Sequence, residues 1–230
     1  MSVNVNTVYQ RVLAITNKEQ RGFITAQEFN YLANQAQLDI FEQYFYDINQ
    51  FLRIPGNDTE YSDMIDILEE KISVFEKVGQ AVNSGTTLPS DLYRLGSVVF
   101  NGAEAESISQ KDYIYVTQAP LAQPNNDFPI YIRDENGIKV YGKNVAGALE
   151  QKTSGVTCNY IKQPASVSWA ANSVTGTYDA GNSTNFELHE SEETELVIKI
   201  LALAGIILRD NSLYGIASGE DVKNVSQEKS

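Results

Sequence analysis

The chain is poor in the residues that do chemistry. It has one cysteine, one histidine, one tryptophan and two methionines. A single thiol, Cys158, excludes an internal disulfide and fits a protein made in a reducing compartment. A lone histidine, His189, excludes His-rich metal cages and leaves nucleophile–base pairing without a partner at ligand or triad spacing. Basic residues are also scarce, 17 against 30 acids, for a net charge of −13. That balance argues against gripping nucleic acid through its phosphates, although an acidic surface lets DNA slide past. No apolar run is long enough to span a bilayer: residues 196–208 hold Lys199 and fall short of about 20 residues. The polar, mixed first residues carry no secretory-signal pattern. No repeat is evident.

What is there is helical patterning at both ends. Thr25 followed by Glu28 is a capping box. Phe29, Leu32, Ala36, Ile40, Tyr44, Ile48 and Leu52 then recur at steps of three or four, flanked by Ala33, Phe41 and Phe45. The spacing predicts a helix over 25–52, about 40 Å long, stopped by Pro55-Gly56. Its wide apolar face calls for a partner. Leu196-Val-Ile-Lys-Ile-Leu-Ala-Leu-Ala-Gly-Ile-Ile-Leu208 is the best candidate. Residues 4–16 read as a short amphipathic helix. Gly22 permits a left-handed turn, and Phe23 or Ile24 is placed to staple the first turn of the long helix. Ser62 is placed to cap a third helix, 63–78, with Met64, Ile67, Leu68, Ile72, Phe75 and Val78 inward and an acidic outer side.

From Thr86 the texture becomes strand-like. Residues 95–101, 111–118, 130–133, 137–141 and 156–162 read as strands, and Asp134-Glu-Asn-Gly137 is the best hairpin turn. Residues 171–184 are small and polar and read as a long loop. Glu190, Glu192, Glu193 and Glu195 suit the positive end of the last helix rather than a metal. The tail from Ala217 has few large apolar residues and is expected to order only against a partner.

The expected fold class is α+β, a helical bundle from the N-terminal helices and a C-terminal helix, with an inserted small antiparallel β region. The divisions are 1–85 N-terminal helices, 86–168 inserted β region, 169–187 loop, 188–211 C-terminal helix packing on the N-terminal helices, and 212–230 extended tail. Gly137-Ile-Lys-Val-Tyr-Gly142-Lys143 resembles a phosphate-binding loop, but Asn144 stands where Ser or Thr should hold magnesium, and the stretch alternates like a strand. No catalytic, cofactor-binding or metal residue is therefore assigned, no cofactor is expected, and the chain does not read as an enzyme.

Several features stand in a recognisable order. Gly22-Phe-Ile-Thr25-Ala-Gln-Glu-Phe29 opens the long helix, and Leu88-Pro-Ser-Asp-Leu-Tyr-Arg-Leu95 opens the β insertion. Tyr160-Ile-Lys-Gln-Pro164 closes it, and Phe186-Glu-Leu-His-Glu190 leads into the last apolar helix. This order resembles the head–tail connector (adaptor, neck ring) virion proteins of tailed bacteriophages, of the crAss-like or short-tailed type. The resemblance implies a structural protein of the viral particle, made in the host cytoplasm and placed at the neck. It implies a homo-oligomer, a twelve-membered ring (dodecamer), contacting the portal protein and a tail or second ring protein. DNA would pass through its lumen during genome ejection without specific binding, and no membrane is involved. It carries over no active-site residue. The alternatives are another virion structural role, capsid decoration or tail component, and a non-virion protein-binding module.

Overall fold

The computed structural model describes residues 2–16, 24–51, 59–119, 121–135, 137–172, 176–207 and 211–228. In chain order these form α1 (Val5–Thr16), α2 (Ala26–Phe51), α3 (Thr59–Ser73), β1 (Glu76–Ala81), β2 (Leu92–Phe100) and β3 (Ala103–Ser107). Then come α4 (Gln110–Gln118), β4 (Ile130–Asp134), β5 (Gly137–Lys143), β6 (Leu149–Lys152), β7 (Val156–Lys162), a 3-10 turn (Glu190–Glu192), α5 (Glu193–Ile207) and α6 (Asn211–Glu228). They fall into two compact units, Phe75–Gln163 and the remainder, Met1–Val74 with Pro164–Ser230.

The expected helical bundle with a small inserted antiparallel region is overturned. The strands make one seven-stranded mixed sheet, ordered β1-β7-β2-β3-β4-β5-β6 and curled into a half-barrel, and the described residues also form six α-helices. The β3–β4 pair is parallel, Glu106 beside Ile130 and Ser107 beside Tyr131. Three strands escape a sequence reading because their composition is poor for strands: β1 is exposed throughout, β3 is Ala-Glu-Ala-Glu-Ser, and β6 is Leu-Glu-Gln-Lys. Their neighbours' edges supply the pairing, which outweighs propensity. Residues 111–118, read as a strand from their Tyr, Ile and Val, are helix α4. Ser109 caps it, its side chain accepting from the Asp112 N–H at 3.1 Å. The third helix ends at Ser73, and Val78 lies exposed on β1 rather than inward. The 212–230 segment, expected as an extended tail, holds α6. The Gly22 turn, the Phe23 staple and the Pro55-Gly56 stop lie outside the described residues, as do the Ser62 and Met64 side chains.

In the helical unit, Thr25 and Glu28 form the reciprocal cap that starts α2. The Thr25 N–H and Oγ1 both donate to Glu28 Oε2 at 2.8 Å, and the Glu28 N–H donates to Thr25 Oγ1 at 3.2 Å. Phe29, Leu32, Ala33, Ala36, Ile40, Phe41 and Tyr44 are buried along one face of the helix. α5, nearly apolar all round, packs on α1 and α2, and α6 packs on α5. Tyr9 lies between Phe29 and Trp169, with ring centroids at 4.9 and 4.2 Å.

A row of amides interrupts the apolar face of α2. Asn30 donates to the Trp169 carbonyl and accepts from the Trp169 N–H, at 3.2 and 2.7 Å. Asn34 does the same with Val167, at 2.8 Å in both directions. Gln37 donates to the Ala165 carbonyl at 2.9 Å and accepts from the Glu187 N–H at 3.1 Å. These side chains at i, i+4 and i+7 act as a surrogate strand edge. They give the extended segment 165–169, buried at Val167 and Trp169, main-chain partners that no strand supplies.

The sheet unit has its own core, built from Val98, Phe100, Ala105, Ile138, Val140, Val156 and Cys158. Tyr160 donates to Asp91 at 2.8 Å; its burial, and secondarily that carboxylate, push its hydroxyl up to about 12. The β1–β2 connection crosses close to β5, where the Ile138 N–H donates to the Thr86 carbonyl at 2.9 Å. Gly137, at φ +134°, makes that approach possible, because a Cβ there would sit 2.1 Å from the Thr86 oxygen.

Candidate interaction site

The residues that suggested chemistry are dispersed or already satisfied. Gly137–Lys143 is β5, paired on both sides by β4 and β6, so its glycines serve a strand and not a phosphate cradle. Cys158 is fully buried in the sheet core, and that burial raises its thiol above the usual range. His189 caps the 3-10 turn, its Nδ1 lying 3.3 Å from the Ser191 N–H and 2.9 Å from Ser191 Oγ. Among the described residues no three of His, Cys, Asp and Glu come together as a metal site.

Three acids at the start of α5, Glu192, Glu193 and Glu195, are neutralised by cations of α3, α1 and α5. Glu192 meets Lys71 at 2.7 Å, Glu193 meets Arg11 at 2.7 Å, and Glu195 meets Lys199 at 3.5 Å. Lys199 also reaches Asp221 on α6 at 3.4 Å and Gln43 on α2 at 3.2 Å. Burial alone would raise the Glu192 carboxyl, but hydrogen bonding and charge from Lys71, helped by Glu195 and Ser191, overcome it and hold the group below its ordinary range. This network ties α1, α2, α3 and α6 to α5. Its arrangement is that of an anchor, with Glu192, Glu193, Glu195 and Asp221 each paired to a cation.

Two features face outward instead, both in the sheet unit. The first is α4, none of whose side chains is buried. Tyr113 holds it to β5 through Tyr141, with ring centroids at 4.7 Å. Ile114 and Tyr115 stand exposed on the helix, and Leu121 and Phe128, the latter 76% exposed, follow in the loop behind it. Large apolar side chains concentrated on an element that buries nothing of its own mark an interaction surface.

The second is a cleft of about 410 Å³ lined by Gly96, Ser97, Glu104, Ala105, Glu106, Ser107 and Tyr131. It exists because β3 changes partners. The β2–β3 ladder consists of Val98↔Ala105, Val99↔Glu104 and Phe100↔Ala103. From Glu106 onward β3 pairs with β4 instead. Glu104 and Glu106 are exposed and, spaced i and i+2, project from the same face of β3. Tyr131 joins the sheet core and lines the cleft. Ser97 Oγ accepts from Asn159 Nδ2 at 2.8 Å. Sequence reasoning missed this site. The signal was the alternation of Ala103-Glu-Ala-Glu106, a strand with one acidic face, but nothing in it tells where a strand leaves its neighbour.

Comparison with protein-family models and with curated proteins returned no match. No helix among the described residues is long and apolar enough to cross a membrane.

Proposed function

We propose that this chain is a structural subunit of a phage particle, a head–tail connector of the neck that works by contacts between subunits and not by catalysis. The observation that carries the reading is α4 with its following loop. An element that contributes nothing to its own core and displays Ile114, Tyr115, Leu121 and Phe128 has the character of a surface completed by assembly. The order of motifs along the chain supports the same reading, and so does the charge of −13, which repels DNA and keeps it mobile in a lumen. In this role copies form a closed ring, twelve by the resemblance, between the portal protein and a tail or second ring protein. The site of action is the virion neck, after synthesis in the host cytoplasm.

Interruption of the gene in the phage tests this. A neck subunit leaves DNA-filled heads that lack tails and leak their genome; intact, tailed, infectious particles would refute the assignment. A decoration or tail role, or a non-virion binding module, rests on no separate observation.

A further inference from the structure

We propose that the two edge strands of the sheet join copies of this chain head to tail, β1 of one copy pairing antiparallel with β6 of the next. The surface is distinct from α4. The inference goes beyond the neck reading and does not depend on it.

Both edges are open. Among the described residues β1 pairs only with β7, and β6 only with β5. β1 is exposed along its whole length, and its Val78 is 72% exposed. An edge of this kind offers unpaired main-chain groups to another strand.

The flanking bonds fix which groups face outward. The Lys162 N–H donates to the Phe75 carbonyl at 2.8 Å, so Phe75 and, by alternation, Lys77 face β7. Glu76 and Val78 therefore turn their N–H and carbonyl away from the sheet. The Val78 carbonyl has a long contact to Gln80 Nε2, at 3.4 Å, which a ladder bond would displace. Beyond Val78 the strand bulges at Gly79, φ +66°. On β6, the Asn144 N–H donates to the Ala148 carbonyl at 2.8 Å. Ala148 and Glu150 thus face β5, and Leu149 and Gln151 turn outward.

One antiparallel register brings the two outward sets into phase. It makes Glu76 with Gln151, and Val78 with Leu149, hydrogen-bonded pairs, and sets Lys77 opposite Glu150 between them. Exposed Val78 gains an apolar partner and Lys77 an acid. Glu150 already accepts from Lys152 at 3.2 Å, but its side chain remains 53% exposed and open to a second cation. Lys77 lies opposite Tyr160, and Glu150 is two residues from Lys152, which lies opposite Val140. Tyr160 and Val140 both belong to the sheet core, so Lys77 and Glu150 share the core side of the sheet.

Charge selects a second copy in this arrangement over the like-with-like ones. The same phase sets Lys77 against Lys77 when β1 meets β1, and Glu150 against Glu150 when β6 meets β6. Like charges directly opposite destabilise a ladder and opposite charges support it. A lysine on an edge deters pairing in general; here it deters every edge that lacks an acid in register. Direction agrees as well. Of the ladders between β1 and β6 only β3–β4 is parallel, so the two edges run opposite ways, and a copy in the same orientation meets them antiparallel. A contact between unlike edges repeats from copy to copy, into a ring or a filament.

The test mixes two full-length variants, Lys77→Cys and Glu150→Cys, under mild oxidation. Residues of a non-hydrogen-bonded pair have Cα atoms about 4.5 Å apart, a distance a disulfide spans. The native Cys158 is fully buried and stays in place. The mixture is expected to give a linked dimer that neither variant gives alone, and Lys77→Cys/Glu150→Cys in one chain a ladder of linked multimers. In sedimentation velocity at low salt, Lys77→Glu should weaken self-association about fivefold, and Lys77→Glu/Glu150→Lys should restore it. Glu135→Lys, at an exposed acid away from both edges, should associate as the parent does. Unchanged thermal melts verify that these exposed substitutions leave the fold intact. No linked dimer in the mixture, a dimer formed as readily by Lys77→Cys alone, or a doubly substituted chain that closes on itself as a monomer would each overturn the proposal. So would self-association indifferent to Lys77→Glu or not restored by the charge swap.

Discussion

Replacing Glu192 with Gln tests the anchor of the helical unit. The carboxylate is 3% exposed, accepts from Ser191 Oγ at 3.0 Å and pairs with Lys71 at 2.7 Å. Losing one partner of a fully buried pair costs about 3–5 kcal/mol. Lys71 keeps 18% of its side chain exposed and lies 5.5 Å from the Tyr44 ring centroid, so part of its charge remains compensated. We therefore expect a loss of about 2–3 kcal/mol at neutral pH, or roughly 5–10 °C in the melting of the helical unit. The folded-state pKa of Glu192 lies below its unfolded value. The pair's contribution is thus complete above the ordinary carboxylate range and is lost as pH falls through the depressed folded value. Circular dichroism melts of parent and Glu192→Gln should differ at pH 7 and converge in acid. Lys71→Met/Glu192→Met should recover much of the loss, since an apolar pair removes the desolvation cost along with the charges. A gap that is absent at pH 7, or one that persists unchanged in acid, would refute the reasoning.

Other consequences follow from single positions. Asn34→Ala strands the N–H and carbonyl of Val167 and should cost about 2 kcal/mol, with faster hydrogen exchange at the Val167 amide as the direct readout. Gly137→Ala drives a Cβ into the Thr86 carbonyl at positive φ and should destabilise the sheet unit by more than about 2 kcal/mol in urea titrations. Gly102→Ala, at φ +91° with open space around it, should cost less in the same assay. Tyr160, raised above the unfolded value to about 12, contributes stability that is complete below pH 10 and is lost as pH rises through about 12. Tyr160→Phe should remove a phenol that ionises above the ordinary tyrosine range in an ultraviolet titration and flatten that alkaline loss. Ser109→Ala should fray α4 by about 1 kcal/mol, seen as lowered amide protection at Asp112.

The parts of the fold legible in sequence are those in which local signals agree. α2 announces itself through the Thr25–Glu28 box and a stripe from Phe29 to Tyr44, and the Asp134–Gly137 turn joins β4 to β5 as its residues suggest. Residues 111–118 misled because their Tyr, Ile and Val content matches strands, while one capped turn at Ser109 decided for helix. Three of the seven strands are invisible because neither face of β1 is buried and because β3 and β6 borrow their pairing from stronger neighbours. That is why a sheet large enough to curl reads as a small insertion. The Asn30, Asn34 and Gln37 ladder has no local signal, because its purpose depends on a segment some 130 residues further along. The cleft was illegible for a different reason. It belongs to no residue pattern but to the point where β3 exchanges β2 for β4, a property of topology.

Stoichiometry is the sharpest test of the proposed neck ring. Quantitative mass spectrometry of purified particles measures the copy number of this chain against the portal and major capsid proteins. A neck ring requires a count equal to the portal's. A count near the capsid protein's, or none, would contradict it.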